Sequence, residues 1–555
     1  SRRVLTAMRI RKGTGCGGVA KVAILGKGGT IIHQSRPMHP RIGLRFHLTG
    51  ARPFLVEVTN GSGPVPRALP IFTPAMQRTF ITNLALLLVL NLLVKPFYLL
   101  GIDAGVQGAV GASDYGTYAA LLSLSFLLNI VLDLGLTNYN TRNVAQHTHL
   151  MGKYLSGVIG VRMVLAGLYA LLTMVVGLVL GYEGAQLDLL GWLVLNQALV
   201  ASILYLRSNI AGAQQFRQDS LLSILDRVLL ILAVGWLLWG RSSDIPFRIE
   251  WFVRAQTMAY GATFLVALVL TLRLSGKVRL GWNPTFSRVV LKQSFPYALL
   301  ILLMTFYYRT DTLMLERMLP DGAFQAGIYA QGFRYFEAFN MLGYLFAGLL
   351  LPMFSRSIKE RDDVAPLVSL ALRILLAGAI PLAAFMHWNA QPVLELIYAE
   401  HTSAAAPSFV LLMYCFVGVC ITYVFGTLLT AGGELRALNG VAATGAVMNI
   451  ALNLVLIPRF QTEGAAWASL VTQLATAAVQ VVLAAKAHML PGLGMLFLRG
   501  AVHGLMLFLL AQALLTLPLP QRALIFLGAA SLSALMTGLV TPKVLRQAMK
   551  LPTSR

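Results

Sequence analysis

Long apolar stretches separated by short polar ones fill the chain from about residue 80 to residue 541. A membrane-spanning helix needs roughly 20 consecutive apolar residues. The stretches are continuously apolar and do not alternate, which is typical of spanning helices and not of a barrel. The pattern predicts an all-α polytopic membrane protein with about 14 transmembrane helices. The predicted spans are 80–101, 116–137, 153–181, 189–212, 220–240, 249–272, 293–316, 323–352, 364–387, 405–431, 437–458, 464–485, 497–518 and 523–541.

A weak internal echo divides these helices into two sets. The run that begins at Gly116 and contains Tyr118 resembles the run that begins at Gly327 and contains Tyr329, and each opens a span after an acidic loop. The echo predicts two parallel six-helix lobes with cargo bound between them. The predicted domains are an N-lobe at 78–272 (helices 1–6), a basic cytoplasmic linker at 273–292, a C-lobe at 293–486 (helices 7–12), and two extra helices with a cytoplasmic tail at 487–555.

Residues 1–77 differ from the rest of the chain. They hold 12 of the 44 Lys and Arg residues and a single acid, Glu57, and they contain no spanning run. One interpretation is a basic tail that binds nucleic acid or anionic lipid. We favour the other, a disordered extension that is not native, with Met76 as the natural start. No nucleic-acid partner is therefore expected.

Basic residues are distributed unequally between the two sets of loops. The loops and flanks after even-numbered spans hold 18 Lys and Arg residues, whereas those after odd-numbered spans hold five and carry acids such as Asp103 and Asp114. Positively charged loops remain in the cytoplasm. The bias therefore predicts that both termini are cytoplasmic.

Charged residues also occur inside the predicted spans, although only 12% of the chain is charged and 57% is hydrophobic. A charge at the bilayer centre costs at least a few kcal/mol and usually faces a polar partner or a water-filled path. Away from the ends of the spans, the basic ones are Lys95, Arg162, Arg207, Arg227, Arg254, Arg309, Arg334 and Arg373. The acidic ones well inside the spans are Asp133, Asp226, Asp311 and Glu337. This surplus of positive charge indicates an anionic cargo.

The sequence predicts roles for nine of these residues. Guanidinium groups stay charged and bind phosphate oxygens as a fork, so the substrate-binding cavity is predicted to include Arg162, Arg207, Arg254, Arg309, Asp311, Arg334 and Glu337. Asp133 and Asp226 are candidates for ion coupling. Other interpretations stay open: side chains near helix ends can extend to the headgroups, and Arg334 and Glu337, three apart on one helix, can neutralise each other.

Signals for enzymatic chemistry are weak. Gly13, Gly15 and Gly18 have the spacing of a dinucleotide fingerprint, but a basic stretch precedes them instead of a strand. No nucleotide-binding domain or zinc-protease motif occurs, and the three cysteines have no framework spacing. We therefore expect no catalytic residue, no metal and no cofactor.

Three blocks of sequence resemble polysaccharide exporters of the Wzx type. The first comprises Gly111–Tyr118, Asp133–Leu136 and Arg142–Ala145; the second comprises Arg309–Leu315, Gly327–Ala330 and Leu351–Arg356; the third comprises Asn449–Pro458, with asparagines at 449 and 453, and Glu463–Ala466. The family belongs to the superfamily of multidrug, oligosaccharidyl-lipid and polysaccharide exporters.

The resemblance covers most of residues 80–480 and carries several implications. It implies two six-helix lobes around a central cavity, two further helices, and a location in the bacterial inner membrane. It also implies that an undecaprenyl-diphosphate-linked oligosaccharide is flipped between leaflets for polysaccharide or O-antigen synthesis. Cavity location is carried over to Arg309 and Asp311 alone.

The main hypothesis is therefore a lipid-linked oligosaccharide flippase that works by alternating access. Its partners would be the lipid-linked oligosaccharide, membrane lipids, and a polysaccharide polymerase or other assembly proteins. The alternatives are a multidrug/cation antiporter of the same fold, a ligase or polymerase of polysaccharide assembly, and a scaffold without transport activity.

Overall fold

The computed structural model describes residues 90–541 apart from 92, 138–139, 141–143, 145–150, 214, 241–244 and 276–283, with backbone alone at 153–154, 156–157, 216 and 284–297. The chain divides into two compact units, Ser1–Gln77 and Arg78–Arg555. In the first unit, β1 (Gly43–Arg45) pairs antiparallel with β2 (Leu55–Glu57). The rest of the predicted extension, including Met76, lies outside the described residues.

The described part of the second unit contains twelve helices that are long and apolar enough to cross a membrane. They are α1 (Leu93–Asp133), α2 (Met151–Val179), α3 (Ala185–Gly212), α4 (Arg217–Gly240), α5 (Ile249–Ser275), α6 (Pro284–Met318), α7 (Gly322–Glu360), α8 (Ala365–Leu394), α9 (Thr402–Gly432), α10 (Leu435–His488), α11 (Leu493–Ala513) and α12 (Leu519–Met536). The predicted fold class, an all-α polytopic membrane protein, is confirmed.

The longest helix, α10, reverses direction at Gln461. A straight helix of its length would extend about 80 Å, whereas the hydrocarbon core of a bilayer is about 30 Å thick. Gln461 has φ 50° and ψ −123°, which is not helical. Asn453 and Ser469 lie on opposite sides of this residue, yet both donate hydrogen bonds to the Asp311 carboxylate. The two parts of α10 therefore form a hairpin.

A similar reversal occurs in α1 at Gly111, where φ is 83° and ψ is 169°. The Tyr115 hydroxyl donates to Asp103 Oδ2 at 2.8 Å across twelve residues of sequence. In a straight helix those residues would be about 18 Å apart along the axis. The predicted number of about 14 separate spans is therefore not confirmed, because two pairs of predicted spans are continuous through α1 and α10.

Apolar side chains are widely exposed on this unit, and polar ones are buried within it. Val179 is 81% exposed and Met258 is 76% exposed, whereas Gln256 and Asn449 are buried. This distribution is the reverse of that in a water-soluble protein. Polar groups find hydrogen-bond partners inside the bundle, because lipid offers them none. The surface fits a hydrocarbon environment.

Helices α1–α5 and α6–α10 build separate apolar cores that meet through α1, α6 and α7. Ala330 of α7 belongs to the core of the first half, and Ala104 of α1 belongs to the core of the second. We call α1–α5 the first half and α6–α10 the second half. This junction is where charged side chains of both halves come together.

The two copies of the sequence echo contact each other at this junction. A Cβ atom added to Gly116 would lie 1.7 Å from the Ala323 carbonyl oxygen, and one added to Gly327 would lie 1.9 Å from the Ala112 carbonyl oxygen. Ala323 lies four residues before Gly327, and Ala112 lies four residues before Gly116. Each glycine therefore contacts the same position of the other run, and the contact is reciprocal. Only glycine allows the two backbones to approach this closely.

Candidate functional site

Four charged side chains form a chain of ion pairs between the halves. Arg334 of α7 contacts Asp103 of α1 at 2.6 Å and also pairs with Glu337. Arg309 of α6 lies 2.6 Å from the other oxygen of Glu337. We call these four residues the interface network. Its two guanidinium groups are balanced by two carboxylates.

The deepest part of the interface network is the contact between Arg334 and Asp103. The two side chains are only 6% and 3% exposed. The Tyr115 hydroxyl accepts a hydrogen bond from Arg334 Nε at 2.8 Å and donates one to Asp103. Buried ion pairs are tolerated when further hydrogen bonds satisfy the charged groups. The Tyr115 hydroxyl supplies such hydrogen bonds to both charged groups here.

Arg309 and Glu337 lie closer to the surface than Arg334. Their side chains are 20% and 17% exposed. The Arg309 guanidinium carbon lies 4.5 Å from the ring centre of Phe126 in the first half and 5.5 Å from that of Phe333 in the second. Arginine is commonly held over aromatic faces in this way. Arg309 is thus the more accessible guanidinium of the interface network.

A second contact between the halves involves Tyr182, which lies between α2 and α3. Its hydroxyl donates to Glu316 Oε2 of α6 at 2.8 Å, and the Arg317 guanidinium carbon lies 3.9 Å from its ring centre. Burial and then the nearby Glu316 carboxylate raise the pKa of Tyr182 above its ordinary value. The hydroxyl therefore stays protonated and acts as a donor.

Asp311 has a different environment from the interface network. It is 1% exposed and accepts hydrogen bonds from Asn449 at 3.1 Å, Asn453 at 2.7 Å and Tyr329 at 3.2 Å, and from Ser469. No basic side chain among the described residues pairs with it. We call these five residues the Asp311 cluster. It connects α6, α7 and both parts of α10 within the second half.

A small cavity borders the Asp311 cluster. Its lining includes Tyr307, Tyr308, Phe333 and Phe336, with Ser469 and Gln473 as polar members. The Tyr307 and Tyr308 rings are stacked with their centres 4.9 Å apart. The cavity is therefore mainly aromatic, and no charged side chain lines it.

The structure places the other predicted site residues elsewhere in the first half. Arg162 pairs with Asp133 at 2.8 Å and donates to the Ala201 carbonyl. Arg207 pairs with Asp219 at 2.7 Å. The structure brings neither arginine to the interface network.

Arg254 and Asp226 also lie away from the interface network. Arg254 is exposed, and its guanidinium carbon lies 5.7 Å from the ring centre of Trp192. Asp226 lies 3.7 Å from its neighbour Arg227, which packs over the Tyr98 ring at 4.6 Å. Of the predicted site residues, Arg309, Arg334 and Glu337 are therefore the ones that meet in the interface network, and Arg162 and Asp133 form a separate pair.

Sequence reasoning missed several partners. Asp103 was predicted to lie in an outside loop, but it is buried in α1. Asp103 and Asp219 pair with two of the arginines and were not counted as membrane acids, so the positive surplus inside the spans is smaller by two. The spacing of Asn449 and Asn453, four residues apart, would have placed both on one helix face. No group of three or more His, Cys, Asp or Glu in the described part of the chain could hold a metal ion.

The family described as Polysaccharide biosynthesis protein matches residues 82–358 of the chain. No curated protein matches the sequence. Among solved structures, the fold is similar to "Lipid II flippase MurJ, inward closed conformation", with a TM-score of 0.64 and 14% identity over 84% of this chain and 100% of that one.

Two further solved structures are similar in fold. An inward-facing multidrug resistance MATE family transporter of the MOP superfamily has a TM-score of 0.56 and 14% identity over 74% of this chain and 98% of that one. A MOP superfamily transporter from Pyrococcus furiosus, described as having a binding pocket of reverse polarity, has a TM-score of 0.54 and 14% identity over 74% of this chain and 95% of that one. The chain belongs to the Polysaccharide biosynthesis protein family and has the multi-pass membrane fold of the MOP superfamily.

Proposed function

We propose that this protein is a flippase that moves an undecaprenyl-diphosphate-linked oligosaccharide across the bacterial inner membrane for polysaccharide synthesis. The observation that carries the proposal is the interface network, in which Arg309 and Arg334 lie where the halves meet. A diphosphate is an anion that suits paired guanidinium groups. The protein would be a transporter without catalytic residues.

The carboxylates of Glu337 and Asp103 occupy the positions that phosphate oxygens would take on the arginines. Both anions accept charge-assisted hydrogen bonds of similar length. A diphosphate that reaches Arg309, the more exposed guanidinium, would compete with Glu337 for it. Arg334 would then exchange Asp103 for phosphate, which would loosen the contact between the halves. Cargo binding and movement of the halves would be coupled by this exchange.

The reciprocal contact of Gly116 and Gly327 would form the closed side of the transporter. The distribution of Lys and Arg predicts that this side faces away from the cytoplasm, because the reversal at Gly111 follows the first predicted span. The diphosphate would therefore enter from the cytoplasmic side. Separation of α1 from α7 would release it outside, and both termini would be cytoplasmic.

Other parts of the cargo would meet different surfaces. Sugar rings present apolar faces as well as hydroxyls, and Tyr307, Tyr308 and Gln473 would offer both kinds of contact once the cavity that they line widens, because in this state it has room for about one water molecule. The isoprenoid tail would stay in the lipid beside the exposed apolar side chains. A polymerase and other assembly proteins would receive the cargo outside.

The remaining predicted residues have subordinate roles in this proposal. Arg162, Arg207 and Arg254 would meet cargo only after the first half rearranges, because the first two are paired with acids. Asp133 and Asp226 stay candidates for ion coupling. Asp311 would act on cargo indirectly, by fixing α6 and thereby Arg309, since its own carboxylate is buried.

A multidrug/cation antiporter of the same fold is the second candidate. The aromatic side chains that line the cavity favour it, since a flat organic cation could stack on them in a state in which the cavity is wider. A membrane ligase or polymerase is less favoured, because the family and the structural neighbours are transporters. A scaffold role would leave the interface network without a function.

The proposal can be tested in proteoliposomes with a lipid-diphosphate-linked oligosaccharide whose leaflet is measured over time. The variant that carries both Arg309→Gln and Arg334→Gln should lower the initial flipping rate at least tenfold, because both anion contacts are lost, each worth about 1.5–3 kcal/mol. The control is Arg356→Gln on α7, the helix that also carries Arg334, because the Arg356 side chain is 75% exposed. A double variant that flips at the rate of the control would contradict the proposal. Export of an organic cation that sugar-lipid does not affect would favour the antiporter.

A further inference from the structure

Two arginines converge on the carboxyl end of α12, outside the interface network. Arg373 Nη1 of α8 donates to the carbonyl oxygens of Gly538 at 2.7 Å and Leu539 at 3.1 Å. Arg499 Nη1 of α11 donates to the same Gly538 oxygen at 3.3 Å. Because they share this acceptor, the two donor nitrogens lie at most about 6 Å apart, close enough for unscreened repulsion.

No carboxylate of a described residue balances this pair of charges. Neither arginine forms an ion pair with any acid in the part of the chain that the structure describes. The chain beyond residue 541 contains no Asp or Glu. The carboxyl end of a helix carries only about half of one negative charge. The carbonyls that the arginines bind belong to the turn after α12, which ends at Met536, so the helix dipole offsets at most part of one guanidinium charge. Positive charge is therefore left over at this site.

Hydrogen-bond donors also remain at the site. Arg373 Nε donates to Ser369 Oγ at 3.1 Å, and its Nη2 has no acceptor among the described residues. Within the described ranges, Arg499 has an acceptor for one nitrogen, which leaves its Nε and Nη2 without one. Both side chains are partly exposed. Two guanidinium groups with free N–H donors can grip phosphate oxygens from two directions.

The surroundings resemble the boundary between acyl chains and headgroups. Leu498, adjacent to Arg499, is 56% exposed, and Met536 at the end of α12 is 69% exposed. Gly538 has φ +66°, and a Cβ atom there would lie 3.6 Å from Arg499 Nη1. The positive φ favours glycine here, and the guanidinium packs in ordinary van der Waals contact beside it. A phosphate held here could place its acyl chains against these apolar side chains.

We propose that Arg373, Arg499 and the end of α12 form a binding site for the phosphate of an anionic phospholipid. On the predicted orientation, the site lies in the cytoplasmic leaflet, where anionic lipids attract basic pockets between helices. The lipid would fasten α11 and α12 to α8. This inference does not depend on the proposed cargo.

The test uses purified full-length protein in nanodiscs of phosphatidylcholine with or without phosphatidylglycerol. Phosphatidylglycerol should raise the thermal midpoint of the protein, and Arg499→Gln should remove most of that increase. Arg356→Gln, which changes an exposed arginine of α7, should keep it. Equal increases in Arg499→Gln and the control would overturn the inference.

Two further measurements separate the possible sources of phosphate. In phosphatidylcholine alone, inorganic phosphate should not reproduce the increase in the thermal midpoint; if it does, the ligand is a free anion and the lipid assignment is wrong. If Arg499→Gln does not fold, native mass spectrometry of the wild-type protein decides. Bound phosphatidylglycerol should be retained about tenfold more often than phosphatidylcholine, as one charge-assisted contact allows, and equal retention would overturn the site.

Discussion

The interface network and the Asp311 cluster both bury carboxylates, but they satisfy them in opposite ways. Asp103 is held by the Arg334 guanidinium across the boundary between the halves, and Glu337 is held by the guanidinium groups of Arg309 and Arg334 within the second half. Asp311 is held by two amides and two hydroxyls that belong to the second half alone. A guanidinium can exchange one anion for another, whereas a buried group of neutral donors loses its acceptor if the carboxylate leaves. The first arrangement suits a moving interface and the second suits a fixed one.

The largest effect on stability is expected at the Asp311 cluster. Asp311→Leu removes the acceptor of the Asn449 amide and of the Ser469 hydroxyl and leaves Asn453 only the 3.2 Å contact to Asn449, which should lower the free energy of unfolding by about 3 kcal/mol or more. Thermal unfolding in detergent measures the change. Asp188→Leu is the control, because Asp188 is exposed on α3. An unchanged thermal midpoint for Asp311→Leu would show that the cluster does not hold the second half together.

A smaller loss is expected where the halves touch through glycine. Gly116→Ala forces a Cβ atom against the Ala323 carbonyl and should destabilise the protein by about 1–3 kcal/mol. Gly108→Ala is the matched control in α1, because no atom lies within 4 Å of its added Cβ. The control should be neutral or stabilising by up to about 1 kcal/mol. A loss of stability in Gly116→Ala and a gain in Gly108→Ala would separate the effect of contact between the halves from that of helix propensity. Equal thermal midpoints for the two variants would contradict the close approach of the backbones at Gly116.

Lysine substitutions compare the two arginines of the interface network. Arg334 bridges two carboxylates, whereas Arg309 contacts one. The ammonium group of a lysine is a single point charge, so it can replace the guanidinium of Arg309 better than that of Arg334. Arg334→Lys should lower the flipping rate about tenfold, equivalent to about 1.4 kcal/mol, and Arg309→Lys should lower it less. Initial rates in proteoliposomes provide the measurement. The reverse order would show that Arg309 is the main anion contact.

The smallest effect is expected from the hydroxyl that joins Asp103 to Arg334. Tyr115→Phe removes one hydrogen-bond partner from each but keeps their ion pair, so it should cost about 1 kcal/mol of stability. Flipping should fall less than threefold. Tyr118→Phe is the control, because its hydroxyl bonds to Gln256 within the first half. Larger losses for Tyr118→Phe would place the important hydroxyl outside the interface network.

The membrane fold could be predicted because apolar runs of spanning length leave few alternatives in lipid. The sequence also identified Arg309, Arg334 and Glu337, since charges in such runs need partners. It did not identify Asp103 as the partner of Arg334, because a reversal of the chain at Gly111 decides whether a nearby acid lies in a loop or in the bundle. Ion pairing between the halves depends on how helices that are distant in the sequence pack together. The hydrophobic pattern of the sequence carries no information about that packing.

The charge surplus illustrates the same limit. The count of charges within the predicted spans gives a net surplus but not the pairing of each arginine, and five of the eight basic residues pair with acids. The value of the count was to locate guanidinium groups inside the membrane domain. Their availability for cargo depends on exchange of partners, which is a property of the three-dimensional arrangement.

The most direct test of this exchange is the affinity of the purified protein for undecaprenyl diphosphate, measured for the wild type, Glu337→Gln and Arg309→Gln. Glu337→Gln removes the competing carboxylate and should tighten binding, whereas Arg309→Gln should weaken it, each by about tenfold for a contact of about 1.4 kcal/mol. Opposite shifts are the result that the account predicts. Weaker binding in both variants would mean that Glu337 supports the site instead of competing with cargo, and would contradict the account.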